Sequence, residues 1–79
     1  MERIRGVIRE HGRLAVDVDS LDADSDLYEA GMTSHASVNL MLALENEFDV
    51  EFPDALLRRD VFESVSSISQ ALRTLGVEA

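Results

Sequence analysis

Five aspartates at Asp17, Asp19, Asp22, Asp24 and Asp26 invite a divalent cation. Asp22, Asp24 and Asp26 match the first, third and fifth positions of an EF-hand loop. The sixth position of that loop needs glycine for its turn, and Leu27 stands there. The twelfth needs a bidentate glutamate, and Thr33 stands there. The run fails both geometric requirements, and no metal site is expected. Ser34-His35 invites a nucleophile and its base. Adjacent helical residues point about 100° apart, so the two side chains do not meet easily. Gly31-Met32-Thr33-Ser34 also lacks the glycine after the serine that a nucleophile elbow requires. With no cysteine there is no thiol nucleophile, zinc-thiolate site or disulfide in the chain. What remains is Ser34 at a helix N-terminus, after a long acidic loop. Such a serine commonly caps its helix. The same place also suits a phosphate ester, because free N–H groups and the helix dipole favour negative charge.

The elements that would position Ser34 are helical. Ile4, Val7, Ile8 and His11 recur at helix spacing and Gly12 supplies a stop, which predicts a helix over 2–12. Residues 13–33 form a long loop with apolar anchors at Leu14, Val16, Leu21 and Leu27, and a short turn over 27–30. Tyr28 is expected to pack that loop onto the helices. A second helix starts at Thr33-Ser34 and runs to Phe48. Leu40, Ala43 and Leu44 face inward, with Met41 and Phe48 nearby. His35, Asn39 and Asn46 face outward, with Leu42 beside them. Pro53 opens a short helix over 54–58. A last helix spans 64–75, with Val65, Ile68, Leu72 and Leu75 inward and Gly76 as its stop. Phe48, Phe52 and Phe62 belong to the core. The fold class is all-α: three longer helices, one short helix and a long acidic loop between the first two.

Seventy-nine residues make one small domain over 1–79. A domain of that size buries only roughly 60 % of its unfolded surface, so an enclosed substrate cavity would compete with the core. The expectation is a module on which enzymes act, not an enzyme. The 7 basic residues are all arginine and face 16 acids, giving a net charge of −9. That charge speaks against nucleic acid and anionic membranes, and favours a monomer. The charges are also segregated. Leu14 to Leu57 holds eleven acids and no base, while the flanks hold every arginine. The longest apolar run, Leu40 to Leu44, is too short to span a bilayer. No signal-peptide stretch follows Met1-Glu2-Arg3-Ile4-Arg5, so a cytoplasmic location is expected.

Two stretches carry a family resemblance. Asp26-Leu27-Tyr28-Glu29-Ala30-Gly31-Met32-Thr33-Ser34 and Val38-Asn39-Leu40-Met41-Leu42-Ala43-Leu44-Glu45-Asn46-Glu47-Phe48-Asp49-Val50-Glu51-Phe52-Pro53 together resemble the acyl carrier protein family. The specific features are the glycine three residues before the serine and the Leu-Glu-x-x-Phe-Asp-x-x-Phe-Pro tail. The resemblance implies a small four-helix bundle. It implies that a phosphopantetheinyl transferase attaches 4′-phosphopantetheine from coenzyme A to Ser34. The thiol of that arm would hold a thioester cargo for downstream acyl or aminoacyl transferases or synthases.

The departures from the family pattern are informative. Thr33 stands where fatty-acid carriers have aspartate, and His35 where they have leucine. Asn39 and Asn46 replace outward acids, while Glu45 remains and Leu42 is an apolar contact beside it. A partner would therefore read shape and polar contacts more than charge. Thr33, His35, Asn39, Leu42, Glu45 and Asn46 form the candidate partner face, with Arg58 and Arg59 as a cationic pair near the attachment site. The Thr33 to Ser37 stretch is similar to stand-alone bacterial carriers loaded by amino acid:carrier protein ligases. An acyl cargo could enter between helices lined by residues such as Leu40, Leu44, Val61 and Ile68, and the sequence does not say whether the bundle opens that way. The alternative is an unmodified acidic adaptor that binds a basic protein, for which Ser34 would not matter.

Self-repulsion among the acids opposes compactness in so small a core. Added salt or divalent cations should raise the melting temperature in a thermal unfolding series. An unchanged or lower value would remove repulsion as a determinant of stability.

Overall fold

The structure, a computed structural model, describes residues 2–77. Met1, Glu78 and Ala79, which the expected 1–79 domain includes, lie outside the described residues. Helix α1 spans Glu2–His11 and buries Ile4, Val7 and Ile8. His11, expected on that apolar face, is exposed beside Glu10. The last helical bond runs from the Gly12 N–H to the Ile8 carbonyl at 2.7 Å, and the helix ends where Arg13 leaves the helical path with a φ of 52°.

Helix α2 spans Ser34–Phe48 and buries Ala36, Leu40, Leu44 and Phe48, a regular stride of four. It stops at Asp49, whose left-handed backbone has φ 54°. Helix α3 spans Val65–Thr74 behind a reciprocal cap between Ser64 and Ser67. It buries Val65, Ile68, Ala71 and Leu72. α1 packs mainly on α2, and α3 packs on the segment that precedes it. The all-α class is as expected. The short fourth helix is two 3₁₀ turns, Asp54–Leu56 and Arg59–Phe62. Leu57 at ψ 63° and the extended Arg58 interrupt the helical path between them. We call residues 54–62 the strap. Val61 and Phe62 bury it, and Phe62 meets Phe52 edge-on at 5.4 Å between centroids. Among the described residues no helix is long and apolar enough to cross a membrane.

The long loop is laid against α1 by arginines. Arg5 donates to the Val18 and Leu21 carbonyls at 2.8 and 3.0 Å. Arg9 takes both oxygens of Asp19 at 2.8 and 2.9 Å. Val18 is the buried anchor, whereas Val16, expected in that role, is 47 % exposed. The reason is local: Asp17 accepts the Asp19 N–H and caps a 3₁₀ turn, Val18–Ser20, that turns Val18 inward.

The last part of the loop fixes where α2 begins. Leu27 is 0 % exposed and its N–H donates to the Glu63 carbonyl at 2.7 Å. Asp26 Oδ1 accepts the Tyr28 N–H, which shapes the turn that follows. Ala15 donates to the Ala30 carbonyl at 2.9 Å, so the two ends of the loop touch. Gly31 lies in that contact with φ 114°, and a Cβ there would fall 2.8 Å from the Ala15 nitrogen. Glycine is required on both grounds.

Gly31→Ala should therefore destabilise the protein by about 1–3 kcal/mol in denaturant unfolding. Gly6→Ala is the contrast, because a Cβ on that α1 residue meets nothing within 4 Å. It should stabilise by about 0.5–1 kcal/mol. Equal stability of the two variants would contradict the close approach at Gly31.

Candidate functional site

Ser34 is the first residue of α2 and is exposed. Its neighbours on either side in the pattern, Met32 and Ala36, are buried. Helix capping falls to Thr33, whose Oγ1 accepts the Ala36 N–H at 3.0 Å. That leaves the Ser34 hydroxyl unengaged: among the described residues no hydrogen bond takes it up. The Ser34 and His35 amides are likewise without a partner among the described residues. The first turn of α2 contains no acid. The positive end of the helix dipole is thus not neutralised by the chain's own carboxylates. An anionic ester on Ser34 fits this end of the helix on every count.

Beside Ser34 runs an open groove of about 400 Å³ between α2 and the strap. Val38 and Met41 of α2 and Leu57 and Phe62 of the strap give it apolar walls. Tyr28, Ser37, Arg58 and Arg59 complete the lining. The Arg59 guanidinium lies 3.8 Å over the Tyr28 ring, and the Tyr28 hydroxyl donates to the Arg59 carbonyl at 3.3 Å. This contact ties the loop to the strap, the packing role expected of Tyr28. The groove's lining contains neither carboxylate nor histidine, so no general base of this chain stands in it. Leu40, Leu44, Val61 and Ile68, between which an acyl chain would enter on opening of the bundle, are all buried in the core.

The sequence-predicted face divides in two. His35, Asn39, Leu42 and Asn46 are exposed on α2, with Leu42 at 54 %. Arg58 and Arg59 are exposed and reach the groove that Ser34 lines. Thr33 and Glu45 have intramolecular work. Thr33 is the cap, and the half-buried Glu45 accepts the Phe52 N–H at 2.8 Å, bracing the chain after α2. Sequence reasoning missed Val38, which is 51 % exposed. Its signal was available: Ser34, Val38 and Leu42 are four residues apart and share one side of the helix. Leu57, next to the arginine pair and 45 % exposed, was missed as well.

Comparison with known proteins bears on this geometry. The family described as "Phosphopantetheine attachment site" matches residues 2–75. The aminoacyl carrier protein of Agrobacterium fabrum is 44 % identical over 78 residues, covering 96 % of this chain and 94 % of that protein. A chain in the crystal structure of engineered Bradyrhizobium japonicum glycine:[carrier protein] ligase, complexed with carrier protein from Agrobacterium tumefaciens and AMP, superimposes with a TM-score of 0.89. That match has 43 % identity and covers 91 % of this chain and 96 % of the other. A chain in the structure of the Bradyrhizobium japonicum ligase with glycylated carrier protein gives a TM-score of 0.75 at 30 % identity, covering 89 % of this chain and 93 % of that one. The chain belongs to the phosphopantetheine attachment site family: it is a carrier protein, and its covalent cofactor is 4′-phosphopantetheine.

Proposed function

We propose that Ser34 bears the 4′-phosphopantetheine and that this chain carries an amino acid, loaded by an amino acid:carrier protein ligase. The observation that carries the first part is the division of labour at the head of α2. Thr33 caps the helix, so Ser34 presents a free hydroxyl at an exposed, electropositive helix end. In the modification, Ser34 Oγ forms a bond to the β-phosphorus of coenzyme A. The bond from that phosphorus to 3′,5′-ADP breaks, and the hydroxyl proton goes to a base outside this chain. When bound, the arm supplies the thiol on which cargo is held as a thioester. The chain's own residues orient and present; they perform no bond chemistry on the cargo. One carrier domain acting as a monomer in the cytoplasm suffices for this role.

The aminoacyl part is supported by the relatives whose printed descriptions name aminoacyl carriers and glycine:[carrier protein] ligases. It is supported by α2 as well. The outward face offers His35, Asn39, Leu42 and Asn46, a polar and apolar surface with little charge. Such a face suits a partner that reads shape and hydrogen bonds. A phosphopantetheinyl transferase, the ligase and a downstream aminoacyl transferase or synthase would meet it in turn.

Intact mass after incubation with coenzyme A and a broad-specificity transferase tests the attachment. The native chain should gain one phosphopantetheine and Ser34→Ala none. A gain on Ser34→Ala, or none on the native chain while a control carrier is modified, would overturn the assignment. The holo form should then gain one glycyl group with glycine, ATP and a glycine:[carrier protein] ligase. Refusal of every amino acid would overturn the aminoacyl reading while leaving the attachment intact.

The docking face has its own expected outcome. Leu42→Asp should lower ligase kcat/KM about fivefold to tenfold, the effect of a modest hot spot. Its melting temperature should stay near that of the parent, because Leu42 is exposed.

A further inference from the structure

Among the described residues four have a positive φ, and three of them are of types that tolerate it. Gly31 and Gly76 have no Cβ, and Asp49 is one of the short polar residues that visit the left-handed region. Arg13, at φ 52°, is the exception. Arginine at this backbone costs the fold conformational energy that glycine would not. Its side chain returns nothing within the molecule: among the described residues no carboxylate pairs with its guanidinium. The neighbouring Arg9 is already taken by both oxygens of Asp19. Arg13 is thus a strained, exposed and unpaired cation, and what it gains is to be sought in a partner.

Arg13 lines a cup of about 120 Å³ with Leu14 and Val16, over Ile8 and Val18. Ile8 and Val18 are buried, whereas Val16 is 47 % exposed. Asp17 also borders the cup, with its Oδ1 engaged by the Asp19 N–H. Small-molecule sites start at about 300 Å³, while a cavity of about 150 Å³ holds a benzene ring. The cup therefore has room for one side chain, not for a metabolite. A cation beside an exposed apolar side chain suits an apolar residue flanked by an acid. The place in the fold narrows the partner. Ala15, between Arg13 and Val16, donates to the Ala30 carbonyl at 2.9 Å and abuts Gly31. Ser34 is three residues beyond Gly31, a span of at most about 11 Å. An enzyme that works on the Ser34 hydroxyl itself must lie over this end of the molecule, whereas one that works on the cargo reaches it through the arm. We propose that the cup of Arg13 and Val16 is an accessory docking point for the phosphopantetheinyl transferase, which sets an apolar side chain against Val16 and a carboxylate against Arg13. The inference rests on Ser34 being the attachment residue. From Leu14 to Leu57 the chain holds acids and no base, so a carboxylate of the enzyme is repelled along that block and accepted at its edge by Arg13. Attraction at one point and repulsion beside it fix the enzyme's register.

The experiment follows modification of the full apo chain by coenzyme A and a broad-specificity transferase, with the carrier concentration varied. Arg13→Gly should raise the KM for the carrier about twofold to fivefold, the range for an exposed ion pair, and leave kcat unchanged. Its melting temperature should rise, because the strain at φ 52° is relieved. A purely structural arginine would not weaken docking while its removal stabilises the fold. Arg13→Lys keeps the charge and should keep most of the parent's affinity. Val16→Asp should raise the KM as well, with the fold intact because Val16 is exposed. A parent-like KM for Arg13→Gly would overturn the docking point, and a lower melting temperature would overturn the strain on which the inference stands. A KM raised only for the amino acid:carrier protein ligase would overturn the transferase as the occupant. A native chain that gains no phosphopantetheine would overturn the attachment and the docking point together, and intact mass separates that case from the others.

Discussion

The position of Ser34 depends on the burial of Leu27. This side chain closes the long loop against the core, and its amide is tied to the Glu63 carbonyl just before α3. The Met32 amide then returns to the Leu27 carbonyl at 3.0 Å, and the Met32 side chain is buried in turn. With those two anchors inside, the chain between them must turn tightly, and Gly31 allows it by approaching Ala15. Thr33 leaves this turn with extended backbone and caps α2. Ser34 then follows an inward Met32 and precedes an inward Ala36, so its side chain points to solvent. Exposure of Ser34 is thus a consequence of core packing some way from it.

The same packing redistributes the charge. In the sequence, eleven acids stand in one block with every arginine outside it. In the fold, Arg9 reaches Asp19 and Arg3 reaches Glu47 at 3.1 Å. Asp17, Asp26 and Glu45 accept backbone N–H groups. These acids shape turns and brace chain ends, which leaves the head of α2 free of them. Thr33 contributes most to that outcome. An aspartate at this position would cap equally well, but its charge would sit beside Ser34 at the positive end of the helix. Threonine keeps the cap and leaves the helix end electropositive, and the lining of the adjoining groove holds Arg58 and Arg59 without a carboxylate.

Periodic features were legible in the sequence. Ile4, Val7 and Ile8, then Leu40, Leu44 and Phe48, then Val65, Ile68 and Leu72 form the inner faces of α1, α2 and α3 as their spacing required. The place of Ser34 at the start of α2 was legible because a glycine, a capping residue and a helix start coincide there. Features without a period were not. Val16 and Val18 look alike in the chain, and only the Asp17 cap decides which one turns inward. His11 continues the spacing of α1, but as the last helical residue it is exposed beside Glu10 and nothing packs over it. The strap looked helical from Pro53 and its apolar residues, yet Leu57 and Arg58 break the path to seat Val61 and Phe62 in the core. The groove was hidden for the same reason. Its two walls are distant in sequence, and tertiary contacts alone bring Leu57 and Arg58 opposite Val38 and Met41.

A carrier must be recognised by several enzymes and released by each. With the tether on Ser34 and the recognition surface around Leu42, as proposed, helix α2 would meet both demands by placing them on one stiff element. Ser34 and Leu42 are two strides of four apart, about 12 Å along the axis. An enzyme that seated Leu42 would therefore have Ser34 at a fixed distance and on the same side. Release follows from what this face lacks. Asn39 and Asn46 supply hydrogen bonds without the long-range attraction of carboxylates, and the exposed apolar surface of α2 is confined to Val38 and Leu42. A contact built on so small a patch belongs with transient encounters that bury under about 1,200 Å². On the proposed docking face, affinity for the cargo-bearing state would then come from the arm entering the enzyme, and docking would hold only while there is chemistry to be done.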